Sequence, residues 1–335
     1  MKIFMIGGTG LLGSAAASKF IQESHQVITI ALPPLPTDFN IPGLEIILGN
    51  YLQMTDETLL SYMRGCEGLV FAAGIDERIE SKPPIYDMFK KYNIDPVDRL
   101  LKLAKQAGIT QVVILGSYFA YFDRVRPSLK LSKTHPYIKS RVEQARIALS
   151  HANDSFHVAV LELPYIFGVQ KGRKPVWTII VERIVKMKKR TYYPKGGTTM
   201  VTTTQVAQAI YGAITRHKGA KCYPIGYYNL TNREFLEIVH EALDTPNKPI
   251  ILIPKVVFKI AMFFETKRRK RAGVEGGLNL VKFASLQCTN QFIDPSLGSN
   301  LLGVEPDDIK QAIIDSIKLS YEALHTSNMI DMKKD

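Results

Sequence analysis

Short apolar runs alternate with helical stretches through the first half of the chain. KIFMI at 2–6, VITIAL at 27–32, LEIIL at 44–48, LVFAAG at 69–74, QVVILGS at 111–117 and HVAVLEL at 157–163 each predict a buried strand. Between them, SAAASKFIQES after Gly13, DETLLSYMRG at 56–65, a long stretch at 85–107 and a shorter one at 136–150 read as helices. Pro96 lies inside the long stretch, and Gly108 caps its end. Strands that are apolar on both faces, separated by helices, belong in a parallel sheet covered on both sides. With right-handed crossovers this predicts a doubly wound α/β fold. After about residue 165 the rhythm changes. Helices are expected at 175–190, 203–216, 231–243, 254–271 and 306–324, with short strand-like pieces between them.

Composition changes this picture little. The 335 residues are 46% hydrophobic and 22% charged, enough for one large or two modest cores. No apolar run approaches the roughly 18–20 residues that span a bilayer. The start MKIFMIGGTG is a strand running into glycines and lacks a cleavage pattern, so a cytoplasmic location is expected. Cys66, Cys222 and Cys288 lie far apart and the histidines are scattered, so no metal site is expected. The net charge of +12 suits an anionic surface, a phosphate-handling site or simple solubility.

GGTGLLG at 7–13 adds chemistry. Gly7, Gly10 and Gly13 stand between the first strand and the first helix, where a dinucleotide's pyrophosphate needs bare backbone and the positive end of a helix. That context predicts a Rossmann-type site. An acidic residue about 20 positions on would hold the ribose of NAD. The second strand ends instead at Ala31-Leu32-Pro33-Pro34, and Asp38 lies beyond both prolines. No arginine stands there for a 2′-phosphate either. The expectation is NAD(P), leaning to NADP because the repelling carboxylate is missing.

Several stretches together resemble the extended short-chain dehydrogenase/reductases, the NAD-dependent epimerase/dehydratase family, over about residues 1–325. GGTGLLG resembles that family's glycine loop, with Ile6 in place of its Thr. LVFAAG resembles its fourth strand, KKYNIDPVDRLL its Asn-bearing helix, and LGSYFAY its serine strand. Tyr137 of HPYIKSR matches the catalytic Tyr. LELPYIFG at 161–168 resembles the segment that contacts nicotinamide, with Glu162 for Arg and Phe167 for Tyr. YYNLTNREFLEIV at 227–239 and LGVEPDDIKQAI at 302–313 resemble later family stretches. The resemblance implies a Rossmann-type NAD(P)-binding domain at 1–168, with segments of about 198–230 returning to it. A smaller, mainly helical substrate-binding region follows at 169–325, with a tail at 326–335. It implies Ser117, Tyr137 and Asn93 as catalytic residues, with position 141 supplying the cation. For the cofactor it implies Gly7, Gly10, Leu11, Leu12, Gly13, Asn50, Ala72, Ala73, Gly74, Tyr137, Pro164 and Ile166. A homodimer through the helices near 85–107 and 136–150 is common in the family.

The family chemistry asks a tyrosine to move a proton at a substrate oxygen. A cation beside it favours the phenolate and lowers a pKa that is otherwise near 10. Here the expected lysine is Arg141, four residues on and on the same helix face. Arginine keeps the charge, but its bulkier fork is a doubtful partner for the nicotinamide ribose, and it does not relay protons. Lys139 points to another face. Two functions follow. One is an NAD(P)-dependent oxidoreductase or epimerase/dehydratase acting on a carbonyl or alcohol of a small molecule. The other is an NAD(P)-binding regulator or scaffold with little or no catalysis.

KGGTTMVTTTQVAQAI at 195–210 resembles the family's strand and capped helix beside the substrate cleft, without the usual Asp. Tyr118, Tyr165, Phe167 and Trp177 are the expected substrate pocket, and their aromatic character suits an apolar or ring-containing substrate. PKVVFKIAMFFETKRRKR at 254–271 reads first as a helix that packs its apolar part and exposes a charged end. Peripheral membrane contact is a second reading and nucleic acid a third, weaker one because no aromatic stacking platform accompanies it. VKMKKR at 185–190 carries the same alternatives.

Overall fold

In the computed structural model, which describes residues 1–36, 38–326, 329 and 330, seven parallel strands form the central sheet. Their order across the sheet is Ala220–Pro224, His157–Leu163, Gln111–Ser117, Gly68–Phe71, Lys2–Ile6, Gln26–Ala31 and Leu44–Leu48. The order reverses direction at Lys2–Ile6, the place where doubly wound sheets hold ligands. Each sheet face is buried under its own apolar cluster. One includes Phe20, Val206 and Ile210. The other includes Leu59, Leu100 and Leu101.

The six expected strands are all present, but Leu44–Leu48 lies at the sheet edge and none of its residues is buried, against the expectation. The seventh, Ala220–Pro224, escaped the hydrophobic pattern because Ala220 and Lys221 are exposed on an edge strand. It follows the helix Thr203–Arg216, which packs against the glycine-loop helix Leu11–Gln22. Thr202 caps Thr203–Arg216 in a reciprocal box with Gln205, one residue before the threonines expected to do so.

The long helical stretch at 85–107 is interrupted. Tyr86–Phe89 leads into a π-helical turn at Lys90–Ile94 and then into Asp95–Gln106. The wide turn accommodates Pro96, which has no N–H to donate, and it places Asn93 fully inside. A helix absent from the sequence reading, Tyr118–Val125, starts directly after Ser117.

The second half carries more sheet than expected. Gly197–Thr202 pairs with Tyr165–Phe167, Tyr228–Thr231 and Asn290–Gln291. Thr191–Pro194 and Ile250–Ile253 form a separate parallel ribbon. The helix Lys255–Arg271 corrects an expectation: none of its residues is buried, so its apolar part is not packed as predicted. No helix among the described residues is long and apolar enough to cross a membrane. The expected tail at 326–335 lies mostly outside the described residues.

Candidate active site

The glycine loop is shaped by close backbone approach. A Cβ at Gly13 would lie 2.1 Å from the Gly7 carbonyl oxygen, and one at Gly7 would lie 2.7 Å from that of Ala72. Gly7 also has a φ of 88°, open to glycine at low cost. Beside Gly10 the nearest atom to such a Cβ is 3.4 Å away, so the loop is open there. No side chain caps the helix that follows, leaving the first-turn N–H groups of Leu11, Leu12 and Gly13 facing the loop. This cradle fits a pyrophosphate.

Two side chains missed in the sequence lie over it. Gln170 Nε2 donates to the Thr9 carbonyl at 2.9 Å, and Arg173 Nη2 donates to the same oxygen at 3.3 Å. Arg173 Nε and Gln170 Oε1 are buried without partners. Burial pulls the Arg173 pKa down, and no acidic residue among the described ones pairs with it.

At the ribose end, Asp38 is exposed and 3.9 Å from Lys171. Asn50 turns its side-chain oxygen to the Leu52 N–H at 3.0 Å. Ala72, Ala73 and Gly74 leave the end of the fourth strand of the chain beside Gly7. Gly74, at φ 125°, would place a Cβ 2.6 Å from Asn93 Oδ1. Pro164 is buried, and the Ile166 carbonyl accepts the Trp177 indole N–H at 2.9 Å.

Ser117 ends the strand Gln111–Ser117, and Tyr137 opens the helix Pro136–Ser150. Both are buried, and Ser117 Oγ accepts the Phe119 N–H at 3.4 Å, capping the helix Tyr118–Val125. Arg141 Nε donates to Tyr137 Oη at 3.2 Å. Its other donors reach the Leu115 carbonyl at 3.4 Å, Gln144 Oε1 at 2.9 Å and the Ile75 carbonyl at 3.1 Å. Four of the five guanidinium N–H groups are thus used. Asn93 brackets Ile75, accepting its N–H at 2.8 Å and donating to its carbonyl at 3.0 Å. The link from Asn93 to the cation is direct: Gln144 Nε2 donates to the Asn93 carbonyl at 2.8 Å while Gln144 Oε1 holds Arg141. Gln144 was not singled out in the sequence, where it reads as one more polar helix position. Lys139 points elsewhere, over the Tyr86 ring at 4.2 Å.

The electrostatics depart from the expectation of a lowered tyrosine. Burial pushes Tyr137 up, Arg141 and Ser117 pull it down, and Glu77 and Asp76 push it up again; the net shift is upward. Glu77 is itself raised, by burial and by Asp76. Burial also raises Asp76, but its ion pair with Arg78 outweighs that and holds it below the usual range. Arg78 donates to the Val176 carbonyl at 2.9 Å, tying this loop to the segment that carries Arg173. From the other side, Tyr137 N donates to the Gly277 carbonyl at 3.0 Å.

The four aromatic residues expected around the substrate form one cluster. Tyr118 and Tyr165 centroids are 6.2 Å apart, and Tyr165 and Trp177 5.1 Å. Phe167 and Trp177 stack at 4.3 Å and are closed into the core, while Tyr165 is half-buried at its edge. Glu162 is wholly buried and forms a two-point pair with Arg124, at 2.5 and 2.7 Å.

A model of the NAD-dependent epimerase/dehydratase family matches residues 3–226. No curated protein sequence matches the chain. Among solved structures, gox2253 is 18% identical, with 98% of this chain and 99% of that one aligned at a TM-score of 0.75. UDP-N-acetylglucosamine 4-epimerase from Bacillus cereus is 15% identical, covering 96% and 99% at 0.64. dTDP-glucose 4,6-dehydratase from Bacillus anthracis in complex with NAD is 17% identical, covering 97% and 98% at 0.66. At these identities the structures speak to the fold alone, and it is the family match over two-thirds of the sequence, on top of the glycine loop, that places the chain in the NAD-dependent epimerase/dehydratase family of enzymes.

Proposed function

We propose that the protein is an NAD(P)-dependent oxidoreductase or epimerase/dehydratase acting on a carbonyl or alcohol carbon of a small molecule, with Tyr137 as general acid/base. The observation that carries this reading is the Arg141 guanidinium on the Tyr137 oxygen, at 3.2 Å and buried together with Ser117, on elements beside the glycine loop. The residues that would hold the cofactor are Gly7, Gly10, Leu11, Leu12 and Gly13 at the pyrophosphate and Ala72, Ala73, Gly74, Pro164 and Ile166 farther along. A bound NAD(P) supplies or accepts hydride. Ser117 hydrogen-bonds the substrate oxygen. Tyr137, raised above its ordinary value, stays a protonated phenol at neutral pH and is ready to donate to that oxygen. In the reverse direction it must lose its proton, and Arg141 and Ser117 favour the phenolate it leaves. Arg141 holds the charge without relaying the proton. Of the expected aromatic pocket, Tyr118, Phe167 and Trp177 are buried, and Tyr165, half-buried at the cluster's edge, is the member placed to meet a ring-bearing substrate. The solved structures of a UDP-N-acetylglucosamine epimerase and a dTDP-glucose dehydratase put nucleotide sugars first in a substrate panel.

A cofactor-binding regulator is the second reading. It is favoured by the near-complete burial of Ser117 and Tyr137 and by the four hydrogen bonds that already occupy Arg141. Nicotinamide absorbance across a panel of carbonyls, alcohols and nucleotide sugars separates the two. On a turned-over substrate, Tyr137→Phe is expected to lower kcat about 100- to 10,000-fold and leave cofactor affinity unchanged. Turnover that survives Tyr137→Phe removes the acid/base assignment. Cofactor binding with no turnover across the panel favours the regulator.

A further inference from the structure

The helix Lys255–Arg271 presents an uncovered face. Val256, Val257, Ile260, Phe263 and Phe264 are 69%, 48%, 56%, 48% and 64% exposed. Their spacing of three and four puts them on one side, and Lys267 and Arg271 continue the same stripe. The opposite side, with Phe258, Met262, Glu265 and Arg269, is half-buried. Glu265 is the helix's one acidic residue; it is bonded to Arg268 at 2.6 Å and to Arg269 at 3.4 Å. Outward, the helix is apolar for three turns and then cationic, through Lys267, Arg268, Lys270 and Arg271.

A second basic run reaches the same region by another route. Lys186, Lys188, Lys189 and Arg190 are exposed and lead into the strand Thr191–Pro194. That strand pairs in parallel with Ile250–Ile253, which runs through Pro254 into the helix. Tyr192 and Ile251 are partners in this ribbon and are 50% and 37% exposed. Exposed apolar side chains therefore continue along the ribbon toward the helix, and within the basic run Lys186 is paired with Glu182 at 2.6 Å.

We propose that this face docks on an anionic lipid bilayer, with the Val256–Phe264 stripe in the headgroup–acyl boundary and the helix's cationic end on the headgroups. Large exposed aliphatic and aromatic side chains flanked by Lys and Arg match that boundary in both polarity and charge. Nucleic acid would satisfy the cations but leave Val256, Ile260, Phe263 and Phe264 without an apolar partner. A second copy packed on the same helix face would cover the apolar stripe but set cations against cations, because Glu265, the helix's one acidic residue, is half-buried and paired with Arg268 and Arg269. Docking here also lies close to the candidate active site. The helix runs through Gly273 into Glu275–Gly276, paired with Glu80–Ser81, and on to Gly277, whose carbonyl holds the Tyr137 N–H.

The test is sedimentation of the full chain with vesicles of phosphatidylcholine, with and without phosphatidylserine. The parent is expected to sediment only with the anionic vesicles and to be released as salt rises. Replacing Lys267, Arg268, Lys270 and Arg271 by Gln is expected to weaken binding about fivefold per cation. Phe263→Ser with Phe264→Ser is expected to weaken it about tenfold or more. Unchanged melting temperatures show that both variants fold, since all six side chains are largely exposed. The proposal is overturned if the parent sediments equally with both vesicle types or with neither, or if both variants bind like the parent. A dimer in sedimentation velocity that Phe263→Ser/Phe264→Ser abolishes, without vesicle binding, overturns it in favour of a second copy. Retention of a nucleic-acid duplex without vesicle binding overturns it in favour of nucleic acid.

Discussion

At the scale of single residues, Gln144 links the Asn93 carbonyl directly to Arg141, whose Nε reaches the Tyr137 oxygen. A guanidinium differs from a lysine ammonium in presenting a planar fork of donors, and here that fork is spread over Tyr137, Leu115, Gln144 and Ile75. Spacing alone put Arg141 on the Tyr137 face. Gln144 was not legible, because its partner is the main-chain carbonyl of Asn93 inside a π-turn, and no side-chain pattern marks that carbonyl. His135, just before Tyr137, was overlooked for a similar reason. Its Nδ1 accepts the Asn279 N–H at 3.0 Å while Nε2 is buried without a partner. Burial lowers its pKa from the ordinary 6.5 to about 4. Between those values the unfolded chain binds a proton that the folded chain does not, so stability falls as pH drops from about 6.5 to about 4. The contribution is on the order of 3 kcal/mol. A His135→Gln variant is expected to show a flatter dependence of Tm on pH across that window; an unchanged slope would mean His135 is not the group responsible.

At the scale of elements, the strands were the most legible part, because strands buried on both faces are apolar throughout. The edge strand Ala220–Pro224 and the helix Tyr118–Val125 were not: the first is half exposed, and the second follows Ser117 without a break in the apolar pattern. The helix expected at 175–190 spans Thr178–Lys186, and the stretch before it, which carried no reading in sequence, sets Arg173 over the glycine loop. A desolvated cation there faces the positive end of the helix Leu11–Gln22, an unfavourable pairing without an anion between them. We propose that the cofactor pyrophosphate is that anion. Arg173→Met should then weaken NAD(P) binding roughly tenfold to a hundredfold in calorimetry, as for a hydrogen bond to a charged group. The melting temperature of the cofactor-free variant should change little, because no ion pair among the described residues is lost and Gln170 still holds the Thr9 carbonyl. Unchanged affinity would assign Arg173 to holding the Thr9 carbonyl alone.

At the scale of the whole molecule, the switch point of the sheet, the glycine loop and the Tyr137 helix meet on one side, and three segments of distant sequence close around Tyr137. These are the loop with Glu77 and Arg78, the segment up to Val176, and the segment through Gly277. Their meeting was invisible in sequence because each is a loop with no periodicity; only the fold brings them together. The excess of positive charge was visible, but not its arrangement: part of it crowns an exposed apolar helix, and part, at Arg173, lies inside. A dinucleotide bound at the glycine loop must bring its nicotinamide to Tyr137 for Tyr137 to act on the substrate oxygen. A crystal structure of the NAD(P) complex measures this directly. It is expected to show the pyrophosphate on the N–H groups of Leu11, Leu12 and Gly13, the nicotinamide against Ala72–Gly74, and Tyr137 Oη facing the ring beside Arg141. A nicotinamide held away from Tyr137, with Glu77 and Gly277 still closed between them, would contradict the account.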